Sequence, residues 1–186
     1  MSARTAITRK NGNDYFRMEQ LSPGDSLADF SCSVEEYAQY LIEDALRSQN
    51  DHIALTWILW ERATGEIAAY MSLIADAIKL SVSEKELHNL NYPFKTIPAM
   101  KIAKLAVSEA AKKTHKGIGT FMIDSGMIFA QICNRQLFAC QFLTVDADVE
   151  NNESVLNFYG KNGFIKNSEM NNKNRKTISM RKDIFA

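Results

Sequence analysis

Hydrophobic and polar positions fall into short runs that change period several times along the chain. Tyr15 to Gln20 alternates as a first strand and is cut off by the turn residues of Leu21-Ser-Pro-Gly24. After Ser33 the period becomes helical. Val34, Tyr37, Leu41 and Ala45 recur every three or four positions, and Ser33 with Glu36 has the form of a capping box, so a helix is predicted over Val34 to Ser48. His52 to Trp60 and Glu66 to Ile74 are rich in Ile, Leu, Trp and Tyr. The Arg62 to Gly65 connection has the length and the glycine of a hairpin. Ala75 to Thr96 shows no single period; Ser83 to Leu90 is read as one or two helical turns before Pro93. Met100 to Val107 reads as a strand, and Gly117 to Ile132 as an amphipathic helix with Ile118, Phe121, Met122, Ser125, Phe129 and Ile132 on one stripe. Phe138 to Val145 is a buried strand. Asn152 to Lys161 is a short helix closed by Asn162 and Gly163, and Ile178 to Arg181 is a last strand, with Asn167 to Lys176 as the hairpin loop before it. This order predicts a mixed α/β (α+β) domain on one central sheet of about six or seven strands flanked by helices.

Composition narrows the picture. A length of 186 residues suits one domain, and 46% hydrophobic residues, with ten Phe, six Tyr and two Trp, are enough for a core. Met1 to Asp14 is polar, lacks the apolar run of a signal peptide, and is expected to be a loosely ordered lead-in to a domain over residues 15–186. Ile53 to Trp60 is too short to span a bilayer, so no membrane segment is expected and the chain reads as cytoplasmic. Cys32, Cys133 and Cys140 lie among apolar residues without metal-ligand spacing, which predicts reduced thiols and no metal. Lys plus Arg and Asp plus Glu both number 22. That zero sums an acidic first half, including Glu35, Glu36, Glu43, Asp44 and Asp51, and basic segments from Lys95 to Lys116 and from Lys166 to Lys182. Neutrality therefore excludes a global positive field but leaves room for an anionic ligand on one face.

The segment from Lys104 to Ile123 is chemically the most informative. A strand runs into a basic turn with Gly117 and Gly119 and then directly into a helix. The first N–H groups of that helix, near Lys116 to Thr120, have no intrahelical partner and lie at the positive end of the helix dipole, which suits a pyrophosphate. The glycines lack the Lys-Ser/Thr ending of a Walker loop and the full dinucleotide fingerprint.

Thr114-His-Lys-Gly-Ile-Gly119 resembles the pyrophosphate loop of the GNAT superfamily of acyl-CoA-dependent N-acyltransferases, Gln/Arg-x-x-Gly-x-Gly/Ala, with Thr114 where the family usually has Gln or Arg. Asn152 to Phe164, with Tyr159 and Gly163, is similar to the family's Asn-x-x-Ala-x-x-x-Tyr-x-x-x-Gly-Phe segment. Phe30-Ser-Cys32 before Tyr37, Tyr40 and Leu41, the strand ending Ala69-Tyr70-Met-Ser-Leu73, and Pro98-Ala99 before Leu105-Ala106-Val107 are similar to the subgroup containing toxins of bacterial toxin-antitoxin pairs. The stretch between Val107 and the glycines is longer than usual there and is expected to bulge.

The resemblance implies acetyl-CoA as donor, held by Leu105, Ala106 and Val107 through backbone groups and by Thr114, His115, Lys116, Gly117, Ile118, Gly119 and Thr120 at the pyrophosphate. Asn152 is expected on the cofactor arm or as the cap of its helix, His115 facing phosphate or solvent, and Tyr159 as the general acid. The acceptor is a primary amine, either of an aminoacyl-tRNA, of a protein or of a small molecule; an antitoxin and a second copy of the chain are the implied protein partners. The competing class is a non-catalytic module that keeps the fold and binds a protein. Glu109, Asp146, Asp148, Glu150 and His88 are of the right type for a general base, and the sequence selects none of them.

Overall fold

Strands and helices alternate as the pattern requires, and their boundaries shift where backbone pairing overrides side-chain pattern. The computed structural model describes residues 4–152, 154–168 and 176–186. The expectation of a loose lead-in fails from its first described residues: β1, Thr5–Ala6, and the short helix α1, Gly12–Tyr15, are formed there, and Ile7 is buried. Asn11 closes the turn between them, accepting from the Thr8 N–H at 2.8 Å and donating to the Ala6 carbonyl at 3.0 Å. Composition missed this because β1 is ordered by pairing with a distant segment, which a count of apolar residues does not register.

β2 follows at Phe16–Gln20. The first long helix consists of α2, Glu35–Gln39, one π turn over Tyr40–Asp44, and α3, Ala45–Asn50. It starts one residue too late for Ser33 to cap it, so the predicted capping box is absent, and the Ser33 hydroxyl accepts from Lys112 Nζ at 3.2 Å. β3, Leu55–Glu61, and β4, Ile67–Lys79, form the predicted hairpin, with a register shift at Leu59/Trp60, and β4 runs on past Ile74. A capping box does occur in the stretch without a period. Ser81 Oγ accepts from the Glu84 N–H and Glu84 Oε2 accepts from the Ser81 N–H, starting α4, Val82–Leu87. Asn89, at φ 53°, follows it in the left-handed region that asparagine tolerates.

β5, Thr96–Val107, begins earlier than predicted, and the longer stretch after it is not a bulge but a helix, α5, Glu109–Thr114, capped by Ser108 Oγ accepting from the Ala111 N–H at 3.0 Å. Then come β6, His115–Lys116, and α6, Ile118–Gln136. β7, Phe142–Asp148, starts four residues after Phe138, because Leu137 and Phe138 still donate to the Cys133 carbonyl as the end of α6. α7, Val155–Lys161, β8, Ile165–Lys166, and β9, Thr177–Asp183, complete the chain. Most of the predicted loop between the last two strands lies outside the described residues.

Seven strands make one mixed sheet in the order β2-β3-β4-β5-β7-β9-β8, and β1 pairs with β6 in a separate parallel ladder. β5 and β7 are parallel, from Ala99↔Phe142 to Ile102↔Val145. Among the described residues that register stops there, so the Ala103–Val107 end of β5 has no strand partner on its β7 side.

Packing divides the chain into two compact units, residues 1–74 with 103–125, and residues 75–102 with 126–186. In the first, Leu41, Ala45, Ile58, Trp60, Ile67, Tyr70 and Ala106 form a core. Tyr70 is fully buried, donates to the Tyr37 carbonyl at 2.7 Å, and packs edge-on to Phe30. In the second, Ile78, Leu80, Ile97, Ala99 and Phe142 form a core. Beside it lies a buried charged cluster. Arg181, 1% exposed, donates to Glu84 Oε1 at 2.8 Å, to Asn167 Oδ1 at 2.8 Å and to His88 Nε2 at 3.3 Å, and His88 Nδ1 lies 3.0 Å from Asp183. No side chain of this kind survives burial without such partners.

Candidate active site

In the first unit, Leu105, Ala106 and Val107 end β5, and Thr114 to Thr120 carry the chain through β6 onto the first turn of α6. Gly117 is the hinge. Its φ of +91° lies where a side chain is strained, and a Cβ there would stand 2.5 Å from the Ile7 carbonyl oxygen. The turn delivers the chain onto a 19-residue helix whose leading N–H groups have no i−4 partner within it. Lys113 and Lys116 are exposed beside it, and neither has an ion pair among the described residues.

Two loop side chains are already engaged. Thr114 Oγ1 donates to the Ala111 carbonyl at 3.2 Å and lies 2.8 Å from His115 Nδ1. His115 does not face phosphate or solvent as expected: it is 7% exposed, edge-on to Phe16 and Tyr15 at 5.1 and 5.7 Å, with Nδ1 3.7 Å from Glu61. The physical reason is the β1–β6 ladder. Pairing of His115 with Thr5 fixes the backbone, and the ring turns to the apolar side beneath it.

Tyr159 and Asn152 belong to the second unit. Tyr159 lies on α7, 6% exposed, edge-on to Phe158 and Phe164 at 5.1 and 5.3 Å, and burial pushes its phenol above its usual value. The ring therefore stays protonated throughout the neutral range. Asn152 is not the helix cap, because α7 starts at Val155 with Ser154 as its N-terminal neighbour; Asn152 Oδ1 accepts from the Ser154 N–H and hydroxyl at 3.0 and 2.7 Å. Gly163, at φ +84°, follows α7 as expected.

The groups of general-base type are all engaged. Glu109 pairs with Lys112 at 2.7 Å, Glu150 with Lys176 at 2.8 Å, and Asp146 with Lys101 at 3.0 Å; Asp148 accepts from Asn151 at 2.7 Å, and His88 lies on Asp183. Lys101 also meets Asp76 at 3.5 Å. Its burial acts against the charge, and the two carboxylates outweigh that and raise its pKa. Lys104 pairs with Glu36 at 3.4 Å and sits over the rings of Tyr37 and Tyr40 at 4.5 and 5.7 Å. The basic segments read from sequence are thus partly neutralised by acids that are distant in the chain. Cys133 and Cys140 are buried and Cys32 half-buried, all three unbridged, and burial pushes the Cys140 thiol up to about 11. Among the described residues no cluster of His, Cys, Asp or Glu fits a metal ion, and no helix is long and apolar enough to cross a membrane.

A mixed seven-stranded sheet whose parallel β5–β7 ladder ends early, followed by a glycine turn into a long helix, is the architecture of the GNAT fold. Solved GNAT-type toxins share it. The toxin AtaT in complex with acetyl-methionyl-tRNAfMet is 20% identical, with a TM-score of 0.73 over 88% of this chain and 93% of that one. A Tyr-to-Phe mutant of KacT is 17% identical, with a TM-score of 0.73 over 90% and 95%. A Tyr-to-Phe mutant of AtaT bound to the C-terminus of the antitoxin AtaR and acetyl-CoA is 19% identical, with a TM-score of 0.67 over 89% and 92%. At these identities it is the fold that is shared. No protein-family model matches the chain, and no curated protein matches it.

Proposed function

We propose that the protein is an acetyl-CoA-dependent N-acetyltransferase whose acceptor is the amino group of an aminoacyl-tRNA. The observation that carries the donor half is the turn at Gly117, with its left-handed backbone opening onto the N-terminus of α6, in a fold shared with proteins solved with acetyl-CoA and with an acetylated aminoacyl-tRNA. The residues fit the donor: exposed Lys113 and Lys116 and the unpartnered N–H groups of the first turn suit its phosphates.

Each step falls to a group of this chain. The N–H groups of Leu105 and Val107, on the part of β5 without a β7 partner, hold the thioester arm and polarise its carbonyl. As the acceptor nitrogen bonds to that carbon and the carbon–sulfur bond breaks, Tyr159 gives its proton to the departing sulfur. Its raised pKa keeps that proton in place until the thiolate develops. No group of general-base type is singled out, and the acceptor's own proton passes to solvent. Asn152 contacts the arm of the donor. A partner antitoxin and a homodimer belong to the same reading, as does a cytoplasmic location.

Calorimetry with acetyl-CoA tests the donor half. Saturation at a hundredfold excess over Kd adds about 2.7 kcal/mol of stability, so a real site shifts the melting temperature visibly, and no heat and no shift would favour the non-catalytic module. Induction in a bacterial host tests the acceptor half. Growth arrest that requires Tyr159, with acetylated aminoacyl-tRNA in the extract, is the expected result; unaffected growth with the wild-type chain points to a protein or small-molecule amine instead.

A further inference from the structure

The donor loop is braced by the start of the chain. β1 lies parallel to β6, with Thr5 opposite His115 and Ala6 opposite Lys116, and the Ile7 N–H donates to the Lys116 carbonyl at 2.7 Å. The Ile7 carbonyl occupies the space that a side chain on Gly117 would need. Arg4 adds a bond from its guanidinium to the Lys112 carbonyl at 3.2 Å, at the end of α5. Buried Ile7 and the Asn11 turn anchor the strand itself. The contacts of Arg4 to Ile7 fall between Lys112 and Gly117, on the residues that lead into α6, just where the loop lacks the usual Gln or Arg and has Thr114 turned back onto α5.

A loop that binds through backbone N–H groups depends on their being aimed before the ligand arrives, since ordering them on binding would cost affinity. We propose that the strand Thr5–Ile7 is a positioning element of the donor site, setting the conformation of Lys116 and Gly117 so that acetyl-CoA binding and docking of the N-terminal strand are thermodynamically coupled. The coupling is reciprocal: whatever the docked strand adds to acetyl-CoA affinity, bound acetyl-CoA adds to the docking of the strand. This rests on the donor reading above.

Hydrogen exchange and kinetics test it on the full chain. Exchange of the Ile7 amide in the wild type slows when acetyl-CoA saturates the protein. Ile7→Pro removes the one N–H that bonds Lys116 and raises KM for acetyl-CoA on the order of fivefold, the worth of one backbone hydrogen bond, with kcat retained. Ile7→Val keeps the N–H and keeps the wild-type KM. Folded Ile7→Pro with an unchanged KM, or Ile7 exchange indifferent to acetyl-CoA, overturns the coupling. Should Ile7→Pro fail to fold, the wild-type exchange measurement decides alone. A wild type that takes up no acetyl-CoA overturns the donor reading and the coupling together, whereas one that binds it without slowing Ile7 exchange overturns the coupling only.

Discussion

Replacing Glu84 by glutamine should remove an acid-sensitive part of the protein's stability without changing its shape. Glu84 is 11% exposed and does three jobs: Oε1 accepts from buried Arg181 at 2.8 Å and from the Ser168 N–H at 2.9 Å, while Oε2 accepts from the Ser81 N–H at 2.8 Å. Burial pushes the carboxyl upward, and the hydrogen bonds from Ser168 and Ser81 outweigh it and hold the group at about 2, against an ordinary 4.5. At about 1.4 kcal/mol for each factor of ten, that gap corresponds to about 3 kcal/mol, trimmed to about 2 by solvent at the exposed edge. Because the folded value lies below the unfolded one, this stability is complete above about pH 5.5, declines as pH falls from about 4.5 toward 2, and is absent below. A glutamine turns a donor toward either Arg181 and Ser168 or Ser81, so it cannot replace both sets. Urea unfolding from pH 7 to pH 2.5 should place Glu84→Gln about 2 kcal/mol below the wild type at neutrality, with the two curves converging in acid. A separation that stays constant across that range would refute the assignment, since it would mean that the carboxyl's charge contributes nothing.

Three further perturbations probe other parts of the molecule. Tyr159→Phe keeps the edge-on packing with Phe158 and Phe164 and should lower kcat on the order of a hundredfold or more at an unchanged melting temperature; equal turnover would assign the ring to the core alone. Gly117→Ala places a Cβ 2.5 Å from the Ile7 oxygen at a φ of +91°, and should cost about 2–4 kcal/mol in unfolding experiments, with weakened acetyl-CoA binding. Lys101→Met leaves Asp76 and Asp146 without their cation and should cost about 1–3 kcal/mol at pH 7, a loss that narrows as pH rises past the ordinary lysine value toward the raised one, where the wild-type amine also loses its charge; a loss independent of pH would mean that packing, not charge, is what Lys101 supplies.

How much of this was legible in sequence depended on where the determining interaction lay. The glycine turn into α6, the hairpin of β3 and β4 and the Gly163 closure were readable because the residues that cause them are neighbours in the chain. The start of α4 is equally local, spelled by Ser81-Val-Ser-Glu84; the helical turns read from Ser83 begin one residue late because the surrounding apolar period is weak. Ser33 with Glu36 has the same spelling and caps nothing, since capping also requires the backbone to enter the helix at that residue.

Periodicity, turn chemistry and the two motif segments by themselves determined the class of fold, the order of its elements and the residues worth testing, because those depend on chain geometry over a few residues. Tertiary structure alone decided the rest. It brought β1 against β6, turned His115 inward, and joined Arg181 to Glu84 and Lys101 to Asp76 and Asp146. Each of these pairs groups far apart in sequence, and it is burial in the folded chain, not composition, that makes such pairing obligatory.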